Sequence, residues 1–278
     1  MQPPAPFSSA LASAPPHPHV LITASFGRIL PKTLLDLFSP SLRLNVHPSL
    51  LPVYRGAAPI QHALLDGQKE TGVCIIEMME RNKGIDAGGI WNQKLMDIPE
   101  NATFVTLRDI LGREGGDLLV SALRDILAGK ATLMPQTTDA AARRAPVITS
   151  NDAIVNFTTM TAEDIVRRYR AISHQKPIIA YLKTNRSLQL HSPSVLTDSM
   201  QAVDDILTAP GTAIYHSPSA SLLIRCASNS ILSVPQVKQQ DRSMLKAKDW
   251  WNGVRPEMRL SGGDEGPVQF VRTQIVES

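Results

Sequence analysis

The feature that most constrains the fold is an alternation of short, apolar β-rich runs with helical segments over residues 20–129. The runs at 20–24, 42–47 and 72–78 are predicted strands, and the last is apolar on both faces, as in the centre of a sheet. The intervening segments 31–38 and 58–67 have the turn signals that begin and end helices. This alternation predicts a doubly wound α/β domain built on a parallel sheet.

Helical periodicity continues over residues 102–129, where the pair Gly115 and Gly116 predicts a break or kink. Residues 131–152 have no clear period and are predicted to form an extended connector. A further helix is predicted to start at Thr161, because Asp164 follows at the spacing of a capping box.

Beyond that helix, short β-rich runs are separated by turns rich in Pro, Ser and Gly. Such a series predicts a small OB-like β-barrel. We therefore predict four regions. Residues 1–19 form a disordered or misassigned N-terminus, and residues 20–150 form a Rossmann-like α/β domain with its linker. Residues 151–260 form a β-barrel domain, and residues 261–278 form a loose tail.

The composition excludes several classes of protein. With 43% hydrophobic residues the chain can bury a core, and no apolar run approaches the ~20 residues that span a bilayer. Cys74 and Cys226 lie far apart, which argues against a disulfide framework or a zinc site. None of the seven histidines has a recognisable metal-binding spacing. A net charge of +3 does not by itself indicate a nucleic-acid partner.

Three polar residues are candidates for chemistry. Asn45 and His47 are two apart at the end of a predicted strand, so their side chains emerge on one face. An amide donor beside an imidazole can hold an oxyanion while protons move. Asp86 lies in a glycine-flanked turn, from which its carboxylate could orient His47. The alternatives are ordinary polar residues that close a strand and a turn aspartate that caps its own backbone.

The order of these motifs resembles that of the folate-dependent formyltransferases. The chain contains the Asn45-x-His47 pair, then SLLP at residues 49–52, RGAAPIQ at 55–61 and the glycine-flanked Asp86. The segment ASFGRILP at 24–31 resembles the loop that helps to enclose the pterin in that family.

The resemblance implies roles for these residues. Asn45, His47 and Asp86 would be catalytic, and 10-formyltetrahydrofolate would be the formyl donor, without a metal. The residues implied to bind the folate are Phe26, Gly27, Ile29, Ser49, Leu50, Leu51 and Pro52.

Other segments are similar to the methionyl-tRNA formyltransferase branch of the family. They are RGAAPIQ, MPQ at 134–136, APVIT at 145–149, PGT at 210–212 and the closing segment 245–260. This branch implies that initiator methionyl-tRNA is the acceptor, that the second domain binds tRNA, and that the protein is a monomer without a membrane anchor. Basic residues around 167–186 and 238–248 are interpreted either as a surface for tRNA phosphates or as a solvated charged face.

The chain departs from the family pattern at its front, where a Pro-rich segment stands in place of further βα units. We expect a truncated gene model, a fragment or an isoform, because a sheet without its first strands exposes edges and apolar surface. Expressed as written, the chain is expected to be poorly soluble and to transfer little formyl group. The turn before Asp86 is also longer than usual, and RAISHQKPI replaces a tryptophan-containing turn.

Two alternative functions stay open. One is a formyltransferase of the same family that acts on another amine, such as a nucleotide sugar or glycinamide ribonucleotide. The other is a non-catalytic remnant that binds tRNA or folate. We expect a mitochondrial location, because the first nineteen residues contain no acid, and the bacterial cytoplasm is the alternative.

Overall fold

The computed structural model describes residues 19–137, 139–197 and 201–272. These residues divide into two compact units. The first unit comprises residues 19–57, 71–96 and 111–144, and the second comprises 58–70, 97–110 and 145–272, apart from the positions that are not described.

The elements up to residue 145 are short, apart from one long helix. The strands are β1 (Leu21–Ala24), β2 (Arg43–His47), β3 (Arg55–Gly56), β4 (Glu70–Glu77), β5 (Ile90–Asp97) and β6 (Arg144–Ala145). The helices are α1 (Lys32–Leu35), α2 (Pro59–Leu65) and α3 (Phe104–Leu127).

The sheet of the first unit has the strand order β1-β2-β4-β5. The predicted parallel arrangement is confirmed for β1 and β2, whereas β4 runs antiparallel to β2. The apolar pattern of β4 could not show this direction, because a central strand is apolar on both faces whichever way it runs. Leu44 of β2 and Ile75 of β4 are fully buried together with Ala122 of α3.

The predicted break at Gly115 and Gly116 is wrong, since α3 is one continuous helix. A Cβ added at Gly115 would lie 2.8 Å from Cγ1 of Val46 and 3.3 Å from Cγ1 of Val73. Gly115 therefore allows the helix to approach the sheet closely. Gly116 faces open space.

The second unit contains a larger antiparallel sheet. Its strands are β7 (Ile179–Leu182), β8 (Ser187–His191), β9 (Ser194–Val195), β10 (Thr212–His216), β11 (Ser221–Arg225), β12 (Ile231–Val234), β13 (Gln236–Gln239), β14 (Met244–Lys246) and β15 (Val268–Val271). The helices are α4 (Ala162–Ile172), α5 (Gln201–Ile206) and α6 (Ala247–Trp251). The capping box of Thr161 and Asp164 is confirmed at the start of α4.

Two predictions for this unit need correction. The strand order β14-β13-β8-β7-β15-β10-β11-β12-β9 is open, and the described strands do not close the predicted barrel. The predicted loose tail at 261–278 is wrong for Val268–Val271, which form β15 and pair with β10 and β7. Strand β15 has only four residues and follows a glycine-rich turn, so it was not recognised from its sequence.

Among residues 19–137, 139–197 and 201–272, no helix is long and apolar enough to cross a membrane. The same residues contain no group of three or more His, Cys, Asp and Glu side chains placed to hold a metal ion.

Candidate active site

Strand β2 presents a polar pair on one face and an apolar pair on the other. Leu44 and Val46 pack in the core with α3. Asn45 and His47 therefore project from the opposite face, because side chains alternate along a strand. His47 pairs with Cys74 of β4, which belongs to an apolar cluster with Leu51, Ile76 and Ile90. The imidazole of His47 lies beside this cluster and is only 3% exposed.

Burial disfavours the charged form of His47 by lowering its pKa, and one hydrogen bond selects its tautomer. Desolvation lowers the pKa of His47, although the nearby Asp86 carboxylate opposes part of this shift. Nε2 lies 3.0 Å from the carbonyl oxygen of Tyr54. Because a carbonyl can only accept, Nε2 carries the hydrogen in the neutral ring. The lone pair of the neutral imidazole is then on Nδ1.

Nδ1 of His47 faces Asp86, with 3.7 Å between it and Oδ2 of the carboxylate. This separation exceeds a direct hydrogen bond. It is the separation expected for two acceptors that face each other without a proton between them. A proton delivered to Nδ1 would be stabilised by the carboxylate, so the two groups together form a proton acceptor.

Asp86 lies on the loop of residues 78–89 and is held in an unusual conformation. Its φ angle is +53°, in the left-handed region that residues other than glycine seldom adopt. The backbone N–H of Gly56 donates to Oδ2 over 2.9 Å. Gln136 Nε2 donates to the backbone oxygen of Asp86 over 2.8 Å. The carboxylate is thus fixed by contacts that originate outside its own loop.

Asn45 is oriented by its neighbour on β1. The hydroxyl of Thr23 donates to Oδ1 of Asn45 over 2.9 Å, and the two residues are partners in the parallel ladder. This bond turns the amide NH2 group away from Thr23. Asn45 can therefore donate from the face that it shares with His47.

The segment of residues 49–52 forms a tight turn after β2. Ser49 is fully buried, and its hydroxyl donates to the carbonyl of Val53 over 2.7 Å. Leu51 is also buried, and the Leu51–Pro52 peptide bond is cis. Leu50 and Pro52 are partly exposed. The turn places the Tyr54 carbonyl beside Nε2 of His47. The sequence did not predict this contact.

The loop after β1 is open to solvent. Phe26 is 56% exposed and Ile29 is 53% exposed, while Gly27 has no atoms near the position of a Cβ. Because β1 and β2 are adjacent and parallel, this loop and the turn at 49–52 leave the same edge of the sheet. Exposed apolar side chains at such an edge suit a flat ring system.

Several contributors to the site were not assigned roles from the sequence. Tyr54, Arg55, Gly56 and Gln136 all contact His47, Asp86 or one another. Three of them lie in or beside RGAAPIQ, and Gln136 ends the MPQ motif. These motifs were therefore a usable signal, although they do not state what each residue holds.

The arginines at the start of the predicted tRNA surface contact protein groups within the second unit. Arg167 donates to the carbonyl of Leu65 and pairs with Asp164. Arg168 donates to the carbonyl of Asp152, and Arg170 donates to Asn101. These contacts give the arginines a role in packing the unit, whether or not RNA also binds there.

The site combines a neutral imidazole, an adjacent carboxylate and an amide donor. The first two can take a proton from an attacking amine, and the third can stabilise negative charge on an acyl oxygen. This set of groups is suited to acyl transfer to an amine.

Comparison with known proteins gives a consistent result for both halves of the chain. Residues 8–123 match the family model described as formyl transferase, and residues 147–255 match its C-terminal domain. The chain is 32% identical over 239 residues to the methionyl-tRNA formyltransferase of Enterococcus faecalis, covering 85% of this chain and 71% of that protein.

A eukaryotic relative and a solved structure extend the comparison. The mitochondrial methionyl-tRNA formyltransferase of Homo sapiens is 34% identical over 236 residues, covering 84% of this chain and 58% of that protein. The crystal structure of HypX from Aquifex aeolicus with tetrahydrofolic acid matches with a TM-score of 0.62 and 16% identity, over 84% of this chain and 38% of that one. The structural match shows a shared fold.

Proposed function

The chain belongs to the formyltransferase family, and from that premise we propose that it transfers the formyl group of 10-formyltetrahydrofolate to the amino group of initiator methionyl-tRNA. The observation that carries the proposal is the pair His47 Nδ1 and Asp86 Oδ2, 3.7 Å apart, on the side of β2 that also bears Asn45. The names of the relatives support the choice of acceptor.

The proposed reaction forms one C–N bond and breaks another. The folate supplies the formyl carbon, which the methionyl amine attacks. Asn45 donates a hydrogen bond to the oxygen that becomes negative. His47 and Asp86 accept the proton that the amine loses, and the same proton can then go to the departing folate nitrogen. Atoms and charges balance without any further reactant.

The low pKa of His47 suits this role. A buried imidazole that is neutral near pH 7 can accept a proton, whereas a charged one cannot. The Asp86 carboxylate beside it opposes part of the shift that burial causes in the pKa of His47.

We propose that the folate binds across the edge of the sheet formed by the loop after β1 and the turn at 49–52. Phe26 and Ile29 would give apolar contact, and Gly27 would allow close approach of the ring to the backbone. Leu50 and Pro52 would contribute from the turn. Because Ser49 and Leu51 are buried in the turn, they would act by shaping its backbone.

The experiment that tests the function measures formylation of charged initiator tRNA by the full-length protein. Formyl-methionyl-tRNA and tetrahydrofolate should appear in equal amounts. The Asn45→Ala variant should lower kcat, because the oxyanion loses a donor. Formylation of a nucleotide amino sugar or glycinamide ribonucleotide in place of the tRNA would contradict the proposed acceptor. Binding of tRNA or folate without turnover would contradict the enzyme itself.

We further propose a monomer in the mitochondrial matrix, whose α/β region at 20–150 carries out catalysis and whose region at 151–260 binds the tRNA. Relatives occur in both bacteria and mitochondria. Sedimentation analysis tests the oligomeric state. Fractionation of the source cells tests the location, and finding the protein in a bacterial cytoplasm would overturn the mitochondrial location.

A further inference from the structure

Asp86 is the least supported member of the candidate site if only its own loop is considered. Residues 81–85, which precede it, are all exposed, and Asp86 itself has a positive φ angle. Burial of apolar side chains therefore cannot fix the carboxylate in this stretch, and other contacts must hold it.

Those contacts come from Gln136. Its Nε2 donates to the backbone oxygen of Asp86 over 2.8 Å and to that of Gly88 over 2.6 Å. One amide group thus binds the carbonyls on either side of Ala87. The segment that carries Gln136 is joined to the start of β5, because the backbones of Met134 and Ile90 exchange hydrogen bonds of 2.8 and 2.9 Å.

The amide of Gln136 is held in one orientation by Arg55. Nε of the guanidinium donates to Oε1 over 2.9 Å, and Nη2 donates to the same oxygen. Because a guanidinium has only donors, Oε1 must face Arg55 and the NH2 group must face the two carbonyls. The next residue, Gly56, donates its N–H to the Asp86 carboxylate. The two residues of β3 therefore hold Asp86 at both its side chain and its backbone.

We propose that Gln136, oriented by Arg55, is the positioning residue that sets Asp86 opposite His47. The inference rests on the proposed function, because it assumes that Asp86 takes part in formyl transfer. A misplacement of about 1 Å in a reacting group can lower a rate about 100-fold, so a clamp on the backbone of Asp86 affects the rate without touching substrate.

The first test compares two variants with a control. Gln136→Leu removes all the hydrogen bonds and should lower kcat about 10- to 100-fold, with the KM for folate changed less than about 3-fold. Gln136→Glu keeps an acceptor for Arg55 but turns an oxygen toward two carbonyls, so it should lose at least as much. Gln68→Leu, at an exposed glutamine just after α2, is the control and should behave as wild type. Wild-type kcat for Gln136→Glu would overturn the proposal.

A double-mutant cycle separates positioning from general structural support. In an Asp86→Asn background, Gln136→Leu should change the residual kcat by less than about 2-fold, because the group that it positions is already inactive. An equal loss in both backgrounds would refute the inference.

Titration of His47 by NMR provides a readout that does not need turnover. Asp86 raises the pKa of His47 against the effect of burial. Gln136→Leu should therefore lower that pKa, and Gln68→Leu should not. An unchanged His47 titration would contradict the clamp, whereas a shift in a protein that does not formylate tRNA would refute only the proposed function.

Discussion

His47 and Asp86 face each other but are held in different ways. His47 lies on a buried strand whose opposite face packs against α3, so its position follows from core packing. Asp86 lies on an exposed loop and is held by hydrogen bonds from Gly56 and Gln136. Changes at the first residue should disturb both stability and activity, whereas changes at the second should disturb activity alone.

The largest expected effect is that of Asp86→Asn on turnover. The neutral amide cannot stabilise the proton that Nδ1 of His47 receives, so kcat should fall by about 10²- to 10⁴-fold, the usual contribution of acid–base catalysis. The melting temperature should stay within about 2 °C of wild type. Steady-state formylation and thermal unfolding are the measurements, with the exposed Asp97→Asn as the control. Loss of folding together with activity would show that Asp86 also supports the structure.

The complementary change is His47→Ala. It should lower kcat by a similar factor and also destabilise the protein by about 1–3 kcal/mol, because the Tyr54 carbonyl loses its buried donor. Denaturant unfolding measures the second effect. An unaltered free energy of unfolding would show that the two halves of the pair are not held differently.

The third change tests the packing behind β2. Gly115→Ala places a methyl group 2.8 Å from Cγ1 of Val46 and should destabilise the protein by about 1–3 kcal/mol. Gly116→Ala is the matched control. It faces open space in the same helix and should stabilise by about 0.5–1 kcal/mol. Equal effects at both positions would mean that α3 can retreat from the sheet without loss.

The smallest effect concerns pH. Because the pKa of His47 is lower in the folded protein than its ordinary value of 6.5, the unfolded chain binds more protons than the folded protein once the pH falls to about 6.5. Stability should therefore fall as pH decreases from about 6.5, with a slope of up to about 1.4 kcal/mol per pH unit from this residue. Subtracting the pH dependence of the stability of His47→Asn from that of wild type gives the contribution of His47. This step removes the contributions of His174 and His191, whose pKa values are also lowered. An identical pH dependence in both proteins would contradict this assignment.

The sequence predicted the elements whose cause is local. The strand that bears Asn45 and His47 follows from its β-rich composition, and the capping box at Thr161 follows from the spacing of two residues. The motif order also marked Asp86 as a candidate, which stays a prediction. For the strand and the capping box, the signal and the structure involve neighbouring residues.

The features that were missed depend on distant contacts. The antiparallel direction of β4 is set by the chain path, not by its apolar residues. Gly115 was predicted from the Gly-Gly pair to mark a break or kink, because its contact with Val46, which is remote in sequence, is not visible in the sequence. The contact of Gln136 with Asp86 joins residues 50 positions apart. Roles of this kind require the three-dimensional arrangement.

The position of β15 has a consequence for the order in which the second unit can form. This strand lies between β7 and β10, with four strands on either side of it in the sheet. Yet it is the last described strand along the chain. During synthesis on the ribosome, both flanking groups of strands emerge before the strand that joins them. The pairings of β7 and β10 with β15 therefore form last, and until Val268–Val271 leave the exit tunnel each flanking group of strands has one edge without its native partner.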